Sequence, residues 1–156
     1  PCLLSMTTEH FNTFLEALPD ERKGPVAALI ESLRSKLPEG FAEHCDGRMV
    51  HFSVPFSLYP DGYHCNPKSP LPFISVASTK GQVSLHHMGL YAHPPLLEAL
   101  QRDWESADLG KLNMGKGCVR FKRMAQLEAA IPILVKTFER MTPQAWIGCY
   151  EAEVKR

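Results

Sequence analysis

Hydrophobic residues recur at helical spacing in two segments near the start of the chain. The first segment has Thr7 or Thr8 as its expected N-cap, and Pro19 as its stop. The second is expected to be capped by Asp20 and to end at Pro38. The two apolar stripes are Phe11, Phe14, Leu15 and Leu18, followed by Val26, Leu29, Ile30, Leu33 and Leu37. The pattern therefore predicts two amphipathic helices before any strand.

Three further helical stripes lie in the second half of the chain. Pro94, after His93, is typical of a first helical turn, and Pro132 is expected to begin the next helix. Thr142 followed by Pro143 predicts the cap and start of a last helix. The stripes are Leu96, Leu97, Leu100 and Trp104; Leu134, Val135 and Phe138; and Trp146, Ile147, Tyr150 and Val154. Trp104, Trp146 and Tyr150 fit either the core or a homodimer contact, and the spacing leaves both open.

Between these helices, apolar and polar residues alternate with the period of two that a half-buried strand shows. The alternation predicts four strands, in residues 48–56, 73–79, 82–92 and 117–123. Residues 57–72 contain four prolines and a Pro-Asp-Gly turn, which predicts a long ordered or semi-ordered loop.

The order of elements is helix, helix, three strands, helix, strand and two helices. Short links between the middle strands favour antiparallel pairing. Helices before and after a small sheet predict an α+β fold, a two-layer sandwich with helices on one face of the sheet. We expect one domain over residues 7–154, with residues 1–6 as an N-terminal tail.

The composition of this 156-residue chain argues against several classes of function. Lys plus Arg equals Asp plus Glu, 17 each, so the basic excess of a nucleic-acid-binding protein is missing. No apolar run approaches the roughly 18 residues that cross a membrane. The five cysteines are odd in number, scattered and free of C-x-x-C pairs, which predicts reduced thiols in a cytoplasm.

The segment "KLNMGKGCVRF", residues 111–121, places a lysine between two glycines. A phosphate-binding loop follows a strand and leads into a helix, whereas these glycines precede a strand. The context therefore favours a turn that sets the entry of the strand. Lys116, the exposed backbone N–H groups and Arg120 could still bind a small anion together.

If helices cover one face of the sheet, the polar positions of the strands must line the other face. His51 and Ser53 share that face with Cys118 and Arg120, and one of His86 and His87 joins them. We expect Lys116 and Arg120 to hold a negatively charged group, with tyrosines and histidines shaping a pocket. The predicted binding residues are Lys116, Arg120, His86, His87, Tyr59, Tyr91, His51 and Cys118.

Two chemical alternatives stay open at this point. No short Cys and His spacing of a zinc site occurs, but His51, His86 and Cys118 could assemble a metal site across strands. A Cys–His nucleophile pair would need Cys118 or Cys65 near a histidine that a third group orients. No Ser-containing elbow and no catalytic pair of carboxylates is identifiable, which favours a binding protein over an enzyme and leaves the Cys–His alternative open.

The segments "RMVHFSVPFSLYP", "PFISVASTKGQVSLHHMGLYA" and "MGKGCVRFKR" resemble the YdhG-like family of small bacterial proteins, whose function is unknown. The resemblance covers roughly residues 8–151, and its most specific part is the turn and strand of residues 116–121. It implies a frataxin-like two-layer sandwich and, for some members, a role as an iron-delivery chaperone. The acidic residues of the first two helices are interleaved with basic ones, whereas an iron surface needs clustered carboxylates.

The prediction that follows is a non-enzymatic domain that binds a small ligand or a protein partner. The first alternative is a frataxin-like chaperone with iron as its cofactor. The second is an enzyme with a Cys–His site. The polar sheet face and the Lys116 turn are the expected binding site in the first interpretation.

Overall fold

A computed structural model describes residues 2–155, and the side chains from residue 9 onward. The chain folds into five strands, six α-helices and a final π-helical turn. Their bounds, in chain order, are α1 Cys2–Glu16, α2 Asp20–Lys36, β1 Ala42–Cys45, β2 Met49–Val54, β3 Leu71–Ser78, β4 Val83–His87, α3 Met88–Ala92, α4 Pro94–Ser106, β5 Cys118–Phe121, α5 Met124–Phe138, α6 Pro143–Cys149 and the π-helix Tyr150–Val154. None of the helices described is long and apolar enough to cross a membrane.

The five strands form one antiparallel sheet in the order β1-β2-β3-β4-β5. Each strand pairs with the next one along the chain. Short connections join β1 to β2 and β3 to β4, whereas a long loop joins β2 to β3 and two helices lie between β4 and β5. The register brings one apolar residue from each strand into a row on the helix-covered face, namely Cys45, Val50, Val76, Leu85 and Val119. The predicted α+β two-layer sandwich is confirmed.

The helix layer buries the predicted stripes against this apolar row. Val26, Leu29 and Leu33 of α2 and Leu134 of α5 are fully buried. Trp146 of α6 is also fully buried, and its indole N–H donates to the Pro72 carbonyl at 3.0 Å. Fully burying a side chain such as Leu29 or Leu33 stabilises a fold by roughly 1.5–3 kcal/mol. Trp104, Trp146 and Tyr150 therefore belong to the core.

The sheet differs from the prediction at two places. Strand β1 was not predicted, because four residues are too few to show alternation, although Asp46-Gly47 is a hairpin signal. The third predicted strand ends at His87 instead of residue 92, and α3 follows it. The reason is that the ladder between β4 and β5 ends here: His86 lies opposite Cys118, which is the first residue of β5. The His87 N–H still donates to the Gly117 carbonyl.

Three helix starts also differ from the prediction. Helix α1 begins at Cys2, so it includes most of the expected tail, and Thr7 and Thr8 lie inside it. Pro19 occupies the N-cap position of α2, and Asp20 is its first residue.

Helix α5 begins at Met124, and Pro132 lies within it instead of starting it. Proline removes one backbone hydrogen bond of a helix. The exposed Pro132 ring faces away from the stripe of Leu127, Ala130 and Leu134, which stays buried and continuous.

His87 lies inside the core, although the sequence analysis placed it among the binding residues. Its ring is completely buried between Phe73 and Phe138. Neither ring nitrogen has a hydrogen-bond partner in the described chain. Burial lowers the pKa of His87 to about 3, and the backbone of Thr137 opposes this shift only in part. A charged imidazolium here would have no counter-charge and no water, so the residue is neutral.

We expect the stability of the protein to depend on His87 between pH 6.5 and pH 3. The pKa is lower in the folded state than in the unfolded state, so the unfolded state takes up the proton first. Stability is therefore fully present above pH 6.5 and is lost as the pH falls. At pH 5 the loss is about 2 kcal/mol, at 1.36 kcal/mol per pH unit. Urea unfolding of wild type and His87→Leu at pH 7.5 and pH 5 measures it.

Between pH 7.5 and pH 5, the unfolding free energy of His87→Leu should fall by about 2 kcal/mol less than that of wild type, because leucine does not titrate. A His93→Leu variant controls for removing a histidine that is only half buried. Parallel pH dependences for wild type and His87→Leu would show that His87 does not carry this effect.

Candidate functional site

The sheet face opposite the helices carries a row of polar side chains, one from each strand. The pairing places them side by side as His44, His51, Ser75, His86 and Cys118. We call these five residues the cross-strand row. Neighbouring strands are about 4.8 Å apart, so the row spans about 19 Å. His44 and His86 are exposed, His51 and Cys118 are half-buried and Ser75 is buried, so a ligand can reach the row at its histidines and at Cys118.

Hydrogen bonds and ring stacking order one end of the row. His51 Nδ1 lies 2.8 Å from the Ser75 hydroxyl oxygen, and its Nε2 lies 3.3 Å from Asp46 Oδ2. The rings of His44 and His51 stack with centroids 4.6 Å apart. A ring with hydrogen-bond partners at both nitrogens cannot rotate freely, so His51 keeps one orientation within the row.

The electrostatics of the row favour the neutral forms of His44 and His86 near pH 7. Burial lowers the pKa of His44, and His51 lowers it further, while Asp46 opposes them. Burial also lowers the pKa of His86, with additional effects of Arg120 and His51. For Asp46, burial is the largest single effect and raises the pKa, but hydrogen bonds from the Met49 and Arg48 N–H groups and from His51 together lower it.

Arg120 lies in the neighbouring row of the same face, with Met49, Ala77 and Ser84. Cys118 and Arg120 are half-buried and Val119 is buried, as the predicted alternation requires. Within the described residues no carboxylate lies within ion-pair distance of the Arg120 guanidinium. An arginine without a counter-charge, held on a strand beside His86, can accept an anion as its partner.

The glycine-lysine-glycine segment forms a hairpin turn. Met114 pairs with Val119, the Gly115 N–H donates to the Cys118 carbonyl at 2.9 Å, and the Arg120 N–H donates to the Asn113 carbonyl at 2.8 Å. Gly117 adopts φ +72°, where a side chain would be strained. The turn thus joins two antiparallel segments and contains no helix N-terminus, in agreement with the predicted entry turn.

Lys116 and Tyr91 lie at this turn, next to Arg120. Lys116 is exposed at the tip, and the Arg120 guanidinium packs against Gly115, where an added Cβ would lie 2.8 Å from Nη2. Tyr91 is exposed and its Cβ packs against Gly117. The structure therefore brings Lys116, Arg120 and Tyr91 together at the β5 edge, close to His86 and Cys118.

Tyr59 does not reach the open face, although the sequence analysis expected it to shape the pocket. The ring is buried against Tyr150, on the helix side of the sheet. Its hydroxyl lies 3.1 Å from Lys155 Nζ and 3.4 Å from a Glu151 carboxylate oxygen. The reason is that the loop of residues 55–70 folds towards the C-terminal helices instead of over the strands.

A groove of about 250 Å³ lies at the other end of the open face, near β1 and β2. Its walls are Ala42, His44, Ser53, Pro55, Phe56 and Pro70. Phe56 is one of the few large hydrophobic side chains that solvent reaches. The face thus offers an apolar groove at the β1 end and positive charge at the β5 end.

The cross-strand row does not form a metal site. His51 on β2 and Cys118 on β5 are three strand spacings, about 14 Å, apart, whereas ligands of one metal ion must converge within a few ångströms. Over residues 2–155, no group of three His, Cys, Asp or Glu side chains is arranged to hold a metal ion. The cross-strand metal site considered from the sequence is therefore wrong.

Sequence reasoning missed three members of this surface, namely His44, Asp46 and Ser75. His44 lies on β1, whose only signal is the Asp46-Gly47 hairpin turn. Ser75 is flanked by Ile74 and Val76, and a register is needed to place it beside His51. Once β1 is recognised, His44 and His51 fall opposite each other without further information.

Comparisons with known proteins add no relative to this geometry. No family model, no curated protein and no solved structure matches the chain. The resemblance to the YdhG-like family, with the frataxin-like fold and the iron role it implies, therefore stays a prediction. The assignment of a function depends on the chemistry of the open face alone.

Proposed function

We propose that this chain is a binding domain, without catalytic activity at the open sheet face, for a ligand or protein partner that carries a negatively charged group. The observation that carries the proposal is Arg120 beside the cross-strand row, which pairs with no carboxylate among the described side chains. Lys116 adds a second exposed positive charge at the same edge. A carboxylate or phosphate group is the complementary chemistry, because it accepts several hydrogen bonds from a guanidinium.

The shape of the face indicates an elongated occupant. The distance from Arg120 to the groove beside His44 is close to the 19 Å width of the sheet. A molecule that used both ends would place its charged group near Arg120 and an apolar group against Pro55 and Phe56. His51, which is half-buried, and the exposed His86 lie between the two ends and offer hydrogen bonds along the way.

We place this function in the cytoplasm as part of the same proposal. Cys45, Cys65, Cys118 and Cys149 are free thiols, which suits a reducing compartment. The balanced charge of the chain argues against a nucleic-acid partner.

Replacing Arg120 by alanine should weaken anion binding about fivefold to tenfold, because one partly exposed charge-assisted contact contributes about 1–1.4 kcal/mol. Sulfate is a suitable probe, since its charge is constant between pH 5 and pH 8. Titration followed by two-dimensional NMR of backbone amides gives both affinity and location. The largest shift changes are expected at residues 115–120 and at His86. Lys116→Ala should show a smaller loss, because Lys116 is more exposed.

Arg102→Ala is the matched control, since it removes an exposed guanidinium from α4 on the helix side. If Arg102→Ala and Arg120→Ala weaken sulfate binding equally, binding reflects net charge and the site assignment fails. Unchanged binding in both Lys116→Ala and Arg120→Ala would also remove it.

Anion affinity should rise as the pH falls below about 6.5. Protonation adds positive charge to His86 and His44, and a bound anion favours the protonated form. Their pKa values are lowered in the free protein, so the rise begins below the ordinary histidine range. Between pH 7.5 and pH 5.5 we expect about fivefold tighter sulfate binding, corresponding to about 1 kcal/mol.

In His86→Gln this pH effect should fall to about twofold, whereas His93→Gln, at the start of α4, should keep it. The Asp46 carboxylate lies 3.3 Å from His51 Nε2 and competes with an anion for that ring. The same pH effect in wild type and in both His44→Gln and His86→Gln would contradict a histidine-dependent site.

A further inference from the structure

A second cluster of reactive groups lies away from the open face, in the loop of residues 55–70. Cys65 is exposed, and its sulfur lies 3.4 Å from His64 Nε2. His64 Nδ1 lies 2.6 Å from the Tyr150 hydroxyl oxygen, which also accepts the His64 backbone N–H at 2.9 Å. The Cys65 thiol thus contacts a base, the His64 imidazole, which in turn contacts a group that orients it, the Tyr150 hydroxyl. Sites with an activated nucleophile have the same chain of contacts.

Tyr150 fixes the orientation of His64. Its side chain is fully buried and packs against Trp146 and Tyr59, so the hydroxyl has a defined position. Burial is the largest effect that raises the pKa of Tyr150, so the phenol is neutral. With the Nδ1 proton directed to the Tyr150 oxygen, Nε2 is the free acceptor that faces the Cys65 sulfur. The 2.6 Å contact fits either ring tautomer, and this one is the form that proton transfer from Cys65 requires.

One end of this contact lies in a π-helical turn and the other in a hydrogen-bonded loop. Tyr150 is the first residue of a π-helical turn, a conformation that is frequent at functional sites. The loop is held by three backbone hydrogen bonds of 2.9–3.0 Å, from the Tyr63 N–H to the Ser69 carbonyl, from the Asn66 N–H to the Tyr63 carbonyl and from the Ser69 N–H to the Asn66 carbonyl.

The Cys65 side chain next to Tyr63, together with burial, raises the pKa of Tyr63 to about 12. The Tyr63 hydroxyl is therefore a hydrogen-bond donor beside the thiol.

The surroundings of Cys65 favour attack on sulfur over acyl transfer. Acyl transfer needs N–H groups directed at a developing oxyanion. Three of the nearby backbone N–H groups are already occupied: that of His64 by Tyr150, that of Asn66 by the Tyr63 carbonyl and that of Lys68 by the Asn66 side chain. The N–H of Cys65 alone would be a single donor, whereas an oxyanion site needs several. Exchange with a disulfide needs an accessible thiolate and no oxyanion site.

We propose that Cys65 is a reactive thiol that exchanges with small disulfides, with His64 as its proton acceptor and Tyr150 as the positioning residue. The thiol proton moves to His64 Nε2, and the thiolate attacks one sulfur of the disulfide. The disulfide bond breaks as a new bond to Cys65 forms. The leaving thiolate takes the proton from His64. The Cys65 sulfur is oxidised and the leaving sulfur is reduced, so atoms and electrons balance. A second free thiol reverses the reaction.

The test uses glutathione disulfide as the probe, with the extent and position of modification measured by intact mass and peptide mapping. Cys65 should be modified at least tenfold faster than Cys118 and Cys149, which are less exposed. Exposure alone could produce this difference, so the pH profile is the deciding readout. In wild type the Cys65 rate should fall less than threefold between pH 8 and pH 6.5.

In His64→Gln the rate at pH 7 should be about tenfold lower, and it should fall about tenfold per pH unit, as for an unassisted thiol. His64 is exposed, so this variant should fold normally. Tyr150→Phe should shift the profile in the same direction while leaving Cys65 present. His93→Gln, which removes a half-buried histidine at the start of α4, is the matched control and should leave the profile unchanged.

The proposal is overturned if Cys65 reacts no faster than Cys118, or if His64→Gln and wild type share one pH profile. Iodoacetamide, a second probe that alkylates thiolates without forming a disulfide, should show the same dependence on His64. If only glutathione disulfide does so, the effect lies in recognition of that molecule, and proton transfer to His64 is excluded.

Discussion

The register of the five-stranded sheet is the constraint on which the other features depend. Side chains alternate between faces, so a slip by one residue in any strand would exchange its two faces. In the observed register Val50, Val76 and Leu85 meet the helices. The same pairing collects His44, His51 and His86 on the other face. A slipped β2 would bring His51 into the apolar layer, where an unpartnered imidazole is costly. Burial of the valines and leucines therefore also positions the polar row.

His86 and His87 show how strongly the face decides the chemistry of one residue type. They are neighbours on β4, and alternation directs them to opposite sides of the sheet. His86 is exposed beside Arg120 and remains able to take a proton when an anion arrives. His87 is enclosed by aromatic rings and stays neutral far into the acidic range. The sequence analysis assigned one of the pair to each face, but both were kept as binding residues because periodicity does not say which is inward.

Much of the fold is predictable from local patterns, since each helix stripe and each alternating strand reports its own burial. The apolar stripe of α2 and the alternation in β5 are examples, and both agree with the structure. Elements with few residues carry too little pattern, which is why β1 was missed. Pro132 misled for a different reason: its local preference is outweighed by the continuous burial of Leu127, Ala130 and Leu134.

The binding face and the Cys65 cluster differ in how far the sequence could predict them. His51, His86, Cys118 and Arg120 follow from strand alternation, whereas the contact between His64 and Tyr150 joins residues 86 positions apart. No periodicity encodes that contact; it arises because the proline-rich loop folds onto the C-terminal helices. The ring of Tyr150 is buried because it packs in the hydrophobic core, and the hydroxyl is the polar end of an otherwise apolar side chain. That hydroxyl needs a partner inside the fold, and the loop supplies His64. The core requirement thus orients the imidazole, and Cys65 acquires its neighbouring base as a consequence of packing.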